Sequence, residues 1–244
     1  MSDENDDSAE KGPLKPLLAA LAFPFQRITW WLLVVLCAAG FLVLLSISTM
    51  GTRTVISARV IAAGLVLIGI IVRCYFTIIE HTLTNWGKEA WQNQSLNSEG
   101  LWESMVSLLG LSVLSWGPVF IVAHYMQPYA EWAELVCQLA AALGCEYFCM
   151  GVLALVVFDN FAQIFPQHIV PALFKSGPAF MLGGAALVLV PLSFETVWNA
   201  LPVSQSVFVR ALIASAVAAY FLIAHARLMG VLYLASRERI GWET

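Results

Sequence analysis

Long apolar stretches separated by shorter polar segments dominate the pattern of this 244-residue chain. A helix that crosses the hydrocarbon core of a bilayer needs about 20 consecutive apolar residues. Because hydrocarbon offers the backbone no hydrogen-bonding partner, each apolar stretch of this length must be helical. The pattern therefore predicts an all-α transmembrane bundle with about six spans, at residues 28–48, 60–79, 104–126, 135–158, 178–198 and 207–235.

The segments outside these spans are predicted to be a tail, surface helices and loops. Five acidic residues in the first ten favour a disordered acidic tail over residues 1–12, followed by a single helical domain over residues 13–244. This acidic start differs from the basic start of a cleavable signal peptide, so we expect the first apolar span to remain in the mature protein.

Two polar or amphipathic segments are predicted to lie at the membrane surface. Leucines at helical spacing over residues 14–25 indicate a short interfacial helix, with an irregular lead-in to the first span as the alternative. Residues 82–92 favour an amphipathic surface helix, and residues 93–100, rich in Asn, Ser and Gly, favour a loop. The other connections are short, which predicts antiparallel packing of consecutive helices.

Composition supports lipid as the solvent. Hydrophobic residues make up 60% of the chain and charged residues 11%, whereas soluble domains have roughly 45–50% and about 25%. A soluble protein of this length has no way to bury so much apolar surface. The basic residues are too few and too scattered for nucleic-acid binding, so the lipid bilayer is the first expected partner.

The basic residues outside the spans and near their ends predict the orientation, because Lys and Arg gather on the cytoplasmic side. With the N-terminus inside, three basic residues fall on the outer side: Arg53, Arg59 and Arg210. The inner side then carries the other nine: Lys11, Lys15, Arg27, Arg73, Lys88, Lys175, Arg227, Arg237 and Arg239. This asymmetry predicts that both termini lie in the cytoplasm.

Glu146 is the ionisable residue predicted to lie deepest in the membrane. It is 11 residues into the fourth predicted span, about 16 Å along a helix axis. A carboxyl group in hydrocarbon is costly, and such residues mark ion or proton pathways in many membrane proteins. The functional hypothesis is a cation-linked or proton-linked carboxyl. The alternative is a hydrogen-bonded Glu146 that only holds helices together.

A second group of charges is predicted at the inner ends of the spans. Arg73, Glu80, Asp159 and Arg227 lie at similar depth in the predicted topology, so Asp159 is expected to pair with Arg73 or with Arg227. The alternative is that each arginine extends separately to the lipid headgroups. The cluster is interpreted mainly as structural, with a transport gate or ligand site as the functional hypothesis.

Motifs for catalysis and for metal or cofactor binding are missing from the sequence. The chain contains no HExxH, GxSxG, P-loop or dinucleotide-binding pattern, and its histidines have no metal-ligand spacing. Cys145 and Cys149 share a helix face, but buried small side chains explain them better than a metal or redox pair. We therefore expect a non-enzymatic protein without a cofactor or metal site.

Small residues suggest how the helices pack. Ala211, Ser215 and Ala219 recur every four residues, and Gly183 and Gly184 open a surface for close approach. Packing within one chain is the simplest interpretation, and a homo-oligomer is the alternative. The first functional hypothesis is a component that associates with membrane partners or with itself. The second is a transporter or channel-like protein that uses Glu146 and the inner charge cluster.

Several phrases resemble those of a group of bacterial membrane proteins. They are Phe23-Pro-Phe before the first span, Phe158-Asp159 at the end of the fourth, and Ala226-Arg-Leu-Met-Gly-Val-Leu-Tyr233 running to Arg239-Ile-Gly-Trp242. From about Leu14 onward the chain resembles bacterial multi-pass proteins of unknown function, which are loosely similar to Yip-type membrane domains. The resemblance implies a helical bundle in a bacterial inner membrane and implies no activity.

The predicted orientation can be tested with reporter fusions. A fluorescent protein that matures only in the cytoplasm is expected to fluoresce when fused after Thr244. Alkaline phosphatase, which is active only outside the cytoplasm, is expected to be active when fused after Leu201, in the last outer connection. The reverse pattern would contradict the predicted orientation.

Overall fold

A computed structural model describes residues 58–84, 98–126, 130–202 and 206–242. Within these ranges the chain forms α-helices and short 3-10 turns and no strand, which confirms the all-α prediction. The helices are α1 (Ala58–Thr84), α2 (Ser98–Met126), α3 (Ala130–Phe158), α4 (Pro166–Ser176), α5 (Met181–Ala200) and α6 (Val207–Ile240), with 3-10 turns at Phe161–Ile164 and Pro178–Phe180.

Four of the described helices are long and apolar enough to cross a membrane. They are α2, α3, α5 and α6, with candidate spans Glu103–Met126, Trp132–Phe158, Met181–Ala200 and Val209–Ile240. These segments coincide with the third to sixth predicted spans and are those expected of an integral membrane protein. The fifth helix begins three residues later than predicted, because Pro178–Phe180 forms a 3-10 turn.

The remaining predicted segments are only partly described. The second predicted span lies within α1, which is 27 residues long. The acidic tail, the interfacial helix at residues 14–25 and the first span at residues 28–48 lie outside the described residues, as does most of the polar stretch after α1.

A short helix between α3 and α5 was not predicted. This connection was expected to be short, yet it contains α4, an 11-residue helix that begins at Pro166 and ends before Gly177. Pro166 fits the first helical turn, because an N–H at that position has no intrahelical acceptor, and its absence in proline therefore costs no hydrogen bond. The segment was overlooked because it is too short to span a bilayer.

The core is formed jointly by α1, α3 and α6. In an 18-residue apolar stretch of each candidate span, 50% of the residues of α3 and 44% of those of α6 are buried, compared with 17% for α2 and 11% for α5. Helix α1 packs against α2, α3 and α6, and α5 packs against α3 and α6. The buried side chains concentrate in the C-terminal halves of α1 and α3 and along the last two thirds of α6. One end of the bundle is thus more tightly packed than the other.

Gly230 permits the close approach of α6 to α1. A Cβ atom at this position would lie 2.5 Å from Cγ2 and 2.6 Å from Cβ of Thr82. Thr82 has little freedom to move, because its hydroxyl donates to the carbonyl oxygen of Ile78 at 2.7 Å and accepts from Arg227 at 2.9 Å. Even a methyl group at position 230 therefore forces the two helices apart.

Replacing Gly230 by Ala is expected to destabilise the fold by about 1–3 kcal/mol, the usual range for overpacking a core. The measurement is the apparent melting temperature of the purified protein in detergent. The matched control is Val113→Ile, which adds one methyl group to a side chain that is 71% exposed, and a surface change of this size alters the free energy of unfolding by about 0.5 kcal/mol or less. Equal melting temperatures for the two variants would contradict the proposed close approach.

Candidate functional site

Charged residues surround a small cavity at the packed end of the bundle. The cavity has a volume of about 100 Å³ and lies between α1, α2 and the end of α3. Its wall carries the charged residues Arg73, Glu80, Glu103 and Asp159, together with the polar side chains of Ser104, Ser107 and Asn160. Three carboxyl groups facing one guanidinium give it an excess of negative formal charge, which favours a cationic occupant.

Helix periodicity places Arg73 and Glu80 on the same face of α1. They are seven residues apart, two turns of the helix, and Arg73 Nη1 lies 3.4 Å from Glu80 Oε1. The two side chains are 24% and 25% exposed, so the pair is partly screened by solvent. Arg73 therefore pairs with Glu80, whereas the sequence analysis expected Asp159 to pair with Arg73 or with Arg227.

Asp159 reaches the cavity through an unusual backbone conformation. Its φ angle is +47°, in the left-handed region that short polar residues such as Asp tolerate better than most. Its N–H donates to the carbonyl oxygen of Leu155 at 2.9 Å, and the next residue, Asn160, accepts a hydrogen bond from the N–H of Ala162. The left-handed conformation of Asp159 thus coincides both with the end of α3 and with the place where its carboxyl group lines the cavity.

Glu103 belongs to the cavity but was missing from the predicted cluster. It lies one residue before the third predicted span and outside the predicted surface segments. Ser107, four residues later on the same face of α2, lines the same cavity. The spacing of Glu103 and Ser107 was the available signal, because residues four apart on a helix lie on the same face.

Arg227 does not line this cavity. Its Nη1 atom donates to the hydroxyl of Thr82 at 2.9 Å, where α6 crosses α1. Of the four residues predicted to cluster, the structure thus brings together Arg73, Glu80 and Asp159, and it places Arg227 at the neighbouring helix crossing.

Glu146 lies near the middle of α3, as its position in the sequence predicts, and away from the charged cavity. It is 13 residues from Asp159, about 20 Å along the helix axis. Its carboxyl group packs against Gly184 of α5, where any Cβ atom would overlap it. Gly184 therefore makes room for this carboxyl group between α3 and α5.

A buried polar contact centred on His225 was not predicted. Its Nε2 lies 3.0 Å from the carbonyl oxygen of Gly183, and its Nδ1 lies 2.7 Å from the hydroxyl of Tyr75. A carbonyl oxygen only accepts, so Nε2 carries the proton and Nδ1 accepts from Tyr75. The contact joins α1, α5 and α6. Tyr75 and His225 are 150 residues apart, which no local pattern reveals.

Metal binding finds no support in the described ranges, where no group of three or more His, Cys, Asp or Glu residues is arranged to hold an ion. Cys149 Sγ lies 3.9 Å from His225 Nε2, but that nitrogen already donates to Gly183. The cysteine and histidine are therefore parts of the packed core.

Comparison of the chain with protein-family models, curated proteins and solved structures finds no match in any of the three. The resemblance to Yip-type domains thus stays a prediction, and the geometry of the cavities carries the functional argument.

Replacing Tyr75 by Phe is expected to destabilise the protein by about 1–3 kcal/mol, because it leaves the buried Nδ1 of His225 without a donor. The apparent melting temperature in detergent measures this effect. Tyr125→Phe is the control, because Tyr125 is 69% exposed and a surface change of this size alters stability by about 0.5 kcal/mol or less. An unchanged melting temperature in both variants would show that the Tyr75–His225 bond does not hold α1 to α6.

Proposed function

We propose that this chain is a non-enzymatic multi-pass protein of a bacterial inner membrane, with six spans and both termini in the cytoplasm. The length of α1 supports a span there in addition to the four candidates. The excess of basic residues on the predicted inner side supports the orientation. The bacterial membrane rests on the resemblance to bacterial multi-pass proteins.

Within this membrane, the proposed role is that of a transporter or channel-like protein for a small cation or a solute with a cationic group. The observation that carries the proposal is the cavity lined by Glu80, Glu103, Asp159 and Arg73. Its volume of about 100 Å³ has room for several water molecules, so a partly hydrated cation fits. In the proposed topology it opens on the cytoplasmic side.

Glu146 supplies the second element of this proposal. It lies on α3, the helix that also carries Asp159, and nearer the middle of the membrane. Ionisable residues at this depth are rare outside ion and proton pathways. We assign the cavity to cation entry at the inner face and Glu146 to coupling within the membrane.

The association hypothesis has less support from the described residues. Its sequence basis was the small-residue surfaces, and Ala211, Ser215 and Ala219 of α6 are buried within a single chain. On α5, Gly183 and Gly184 are covered by Met229 and Glu146. Association with membrane partners or with a second copy stays a prediction. The small-residue surfaces do not favour it, because they are already covered within one chain.

The transport proposal predicts that cation uptake depends on Asp159 and Glu146. Purified protein is reconstituted in liposomes, and the uptake of sodium, potassium and ammonium is measured. Asp159→Asn keeps a residue that tolerates a positive φ but removes one charge from the cavity, so uptake of the preferred cation is expected to fall about tenfold, the equivalent of 1.4 kcal/mol. Glu146→Gln is expected to abolish any proton-linked component, followed with a pH-sensitive dye.

Glu195→Gln is the matched control, because Glu195 is an exposed carboxyl group on α5 and lines neither described cavity. Wild-type liposomes that take up none of the three cations faster than empty liposomes would overturn the proposal. Equal uptake by all three variants would contradict the roles proposed for the cavity and for Glu146.

A further inference from the structure

A second and larger cavity lies at the same end of the bundle, between the ends of α1, α3 and α6. Its volume is about 590 Å³, within the range of roughly 300–1,000 Å³ that small-molecule sites occupy. It shares Glu80 and Val156 with the smaller cavity. The transport proposal does not use this space.

The C-terminal end of α6 builds one wall of this cavity. The helix ends at Ile240, and the following Gly241 has a φ of +74° and donates its N–H to the carbonyl oxygen of Arg237 at 3.0 Å. The chain then turns back, and the hydroxyl of Tyr233 donates to the carbonyl oxygen of Trp242 at 3.2 Å. The indole ring packs edge-on against Phe158, with ring centroids 5.2 Å apart. Trp242 is thus fixed in place.

The lining of the cavity is divided between apolar and charged groups. Leu83, Val156, Val157 and Leu234 provide an apolar surface. Arg237 and Glu238 add one charge of each sign from α6, and Glu80 adds a further carboxyl group from α1. Such a division matches a ligand that has an apolar part and a head with both a positive and a negative group.

The length of α6 places the charged groups at the level of the lipid headgroups. Its 34 residues extend about 51 Å at 1.5 Å per residue, whereas the hydrocarbon core is about 30 Å thick. The helix therefore continues beyond the hydrocarbon, and Arg237 and Glu238 lie in its last turns. Tyr233 and Trp242 suit the same boundary, where aromatic residues concentrate.

We propose that this cavity binds the headgroup of a zwitterionic phospholipid that carries a primary amine. The lipid phosphate lies at the Arg237 guanidinium, the ammonium group lies between the carboxyl groups of Glu238 and Glu80, and the first acyl carbons cover Val156, Val157 and Leu234. Guanidinium–phosphate and ammonium–carboxylate contacts are charge-assisted hydrogen bonds, about twice as strong as neutral ones. This site shares Glu80 with the cation cavity, but its test does not require any flux.

The experiment is a titration of the delipidated protein in detergent, followed by native mass spectrometry. Phosphatidylethanolamine is expected to bind more tightly than phosphatidylglycerol, which has the phosphate but lacks the amine. Arg237→Gln and Glu238→Gln are each expected to weaken phosphatidylethanolamine binding about tenfold. Both side chains are exposed, so the variants are expected to fold.

Arg239→Gln is the matched control, because this arginine lies two residues from Arg237 but beside Gly177, after α4, and does not line the cavity. Its affinity for phosphatidylethanolamine is expected to equal that of the wild type. Equal affinities for the two lipids, or unchanged affinities in the Arg237 and Glu238 variants, would overturn the proposal. Free phosphoethanolamine is titrated in parallel; binding as tight as that of the lipid would assign the site to a soluble zwitterion and would likewise overturn it.

Discussion

The contact between α1 and α6 is the constraint on which the rest of the described structure depends. Gly230 brings the two helices together at Thr82. A hydrogen bond from Arg227 to Thr82 joins them at this crossing, and one from Tyr75 to His225 joins them two turns earlier along α1. Bonds of this kind resist rearrangement, because a buried polar group that loses its partner costs about 1–3 kcal/mol. With α1 held in this way, Glu80 lies where it lines both cavities.

The two cavities at this end share one carboxyl group, that of Glu80. Glu80 pairs with Arg73 toward the smaller cavity and contributes a carboxyl group to the larger one. A ligand that draws Glu80 toward Arg237 and Glu238 therefore weakens its contact with Arg73. We therefore expect that occupation of the proposed lipid site changes the position of the Glu80 carboxylate in the smaller cavity.

The sequence predicted the helices much better than the contacts between them. Apolar length alone identified the spans that correspond to α2, α3, α5 and α6, because the cost of exposing polar groups to hydrocarbon is local and additive along a helix. The sequence left open which charges of the inner cluster pair, because Glu80 and Asp159 are both acids at similar depth. In the structure Arg73 pairs with Glu80, which lies two turns along the same face of α1. Tyr75 and His225 were missed because their contact depends on tertiary packing alone.

Asp159 has a further consequence for the evolution of this site. Its positive φ angle restricts the position to residues that tolerate the left-handed conformation, chiefly Gly, Asn and Asp. The same residue supplies a carboxyl group to the cavity. Natural variants therefore have only one acidic choice there, since glutamate lacks the short side chain that this backbone favours. A substitution that keeps this backbone conformation therefore replaces Asp159 by Asn or Gly, and either of these removes the negative charge from the cavity.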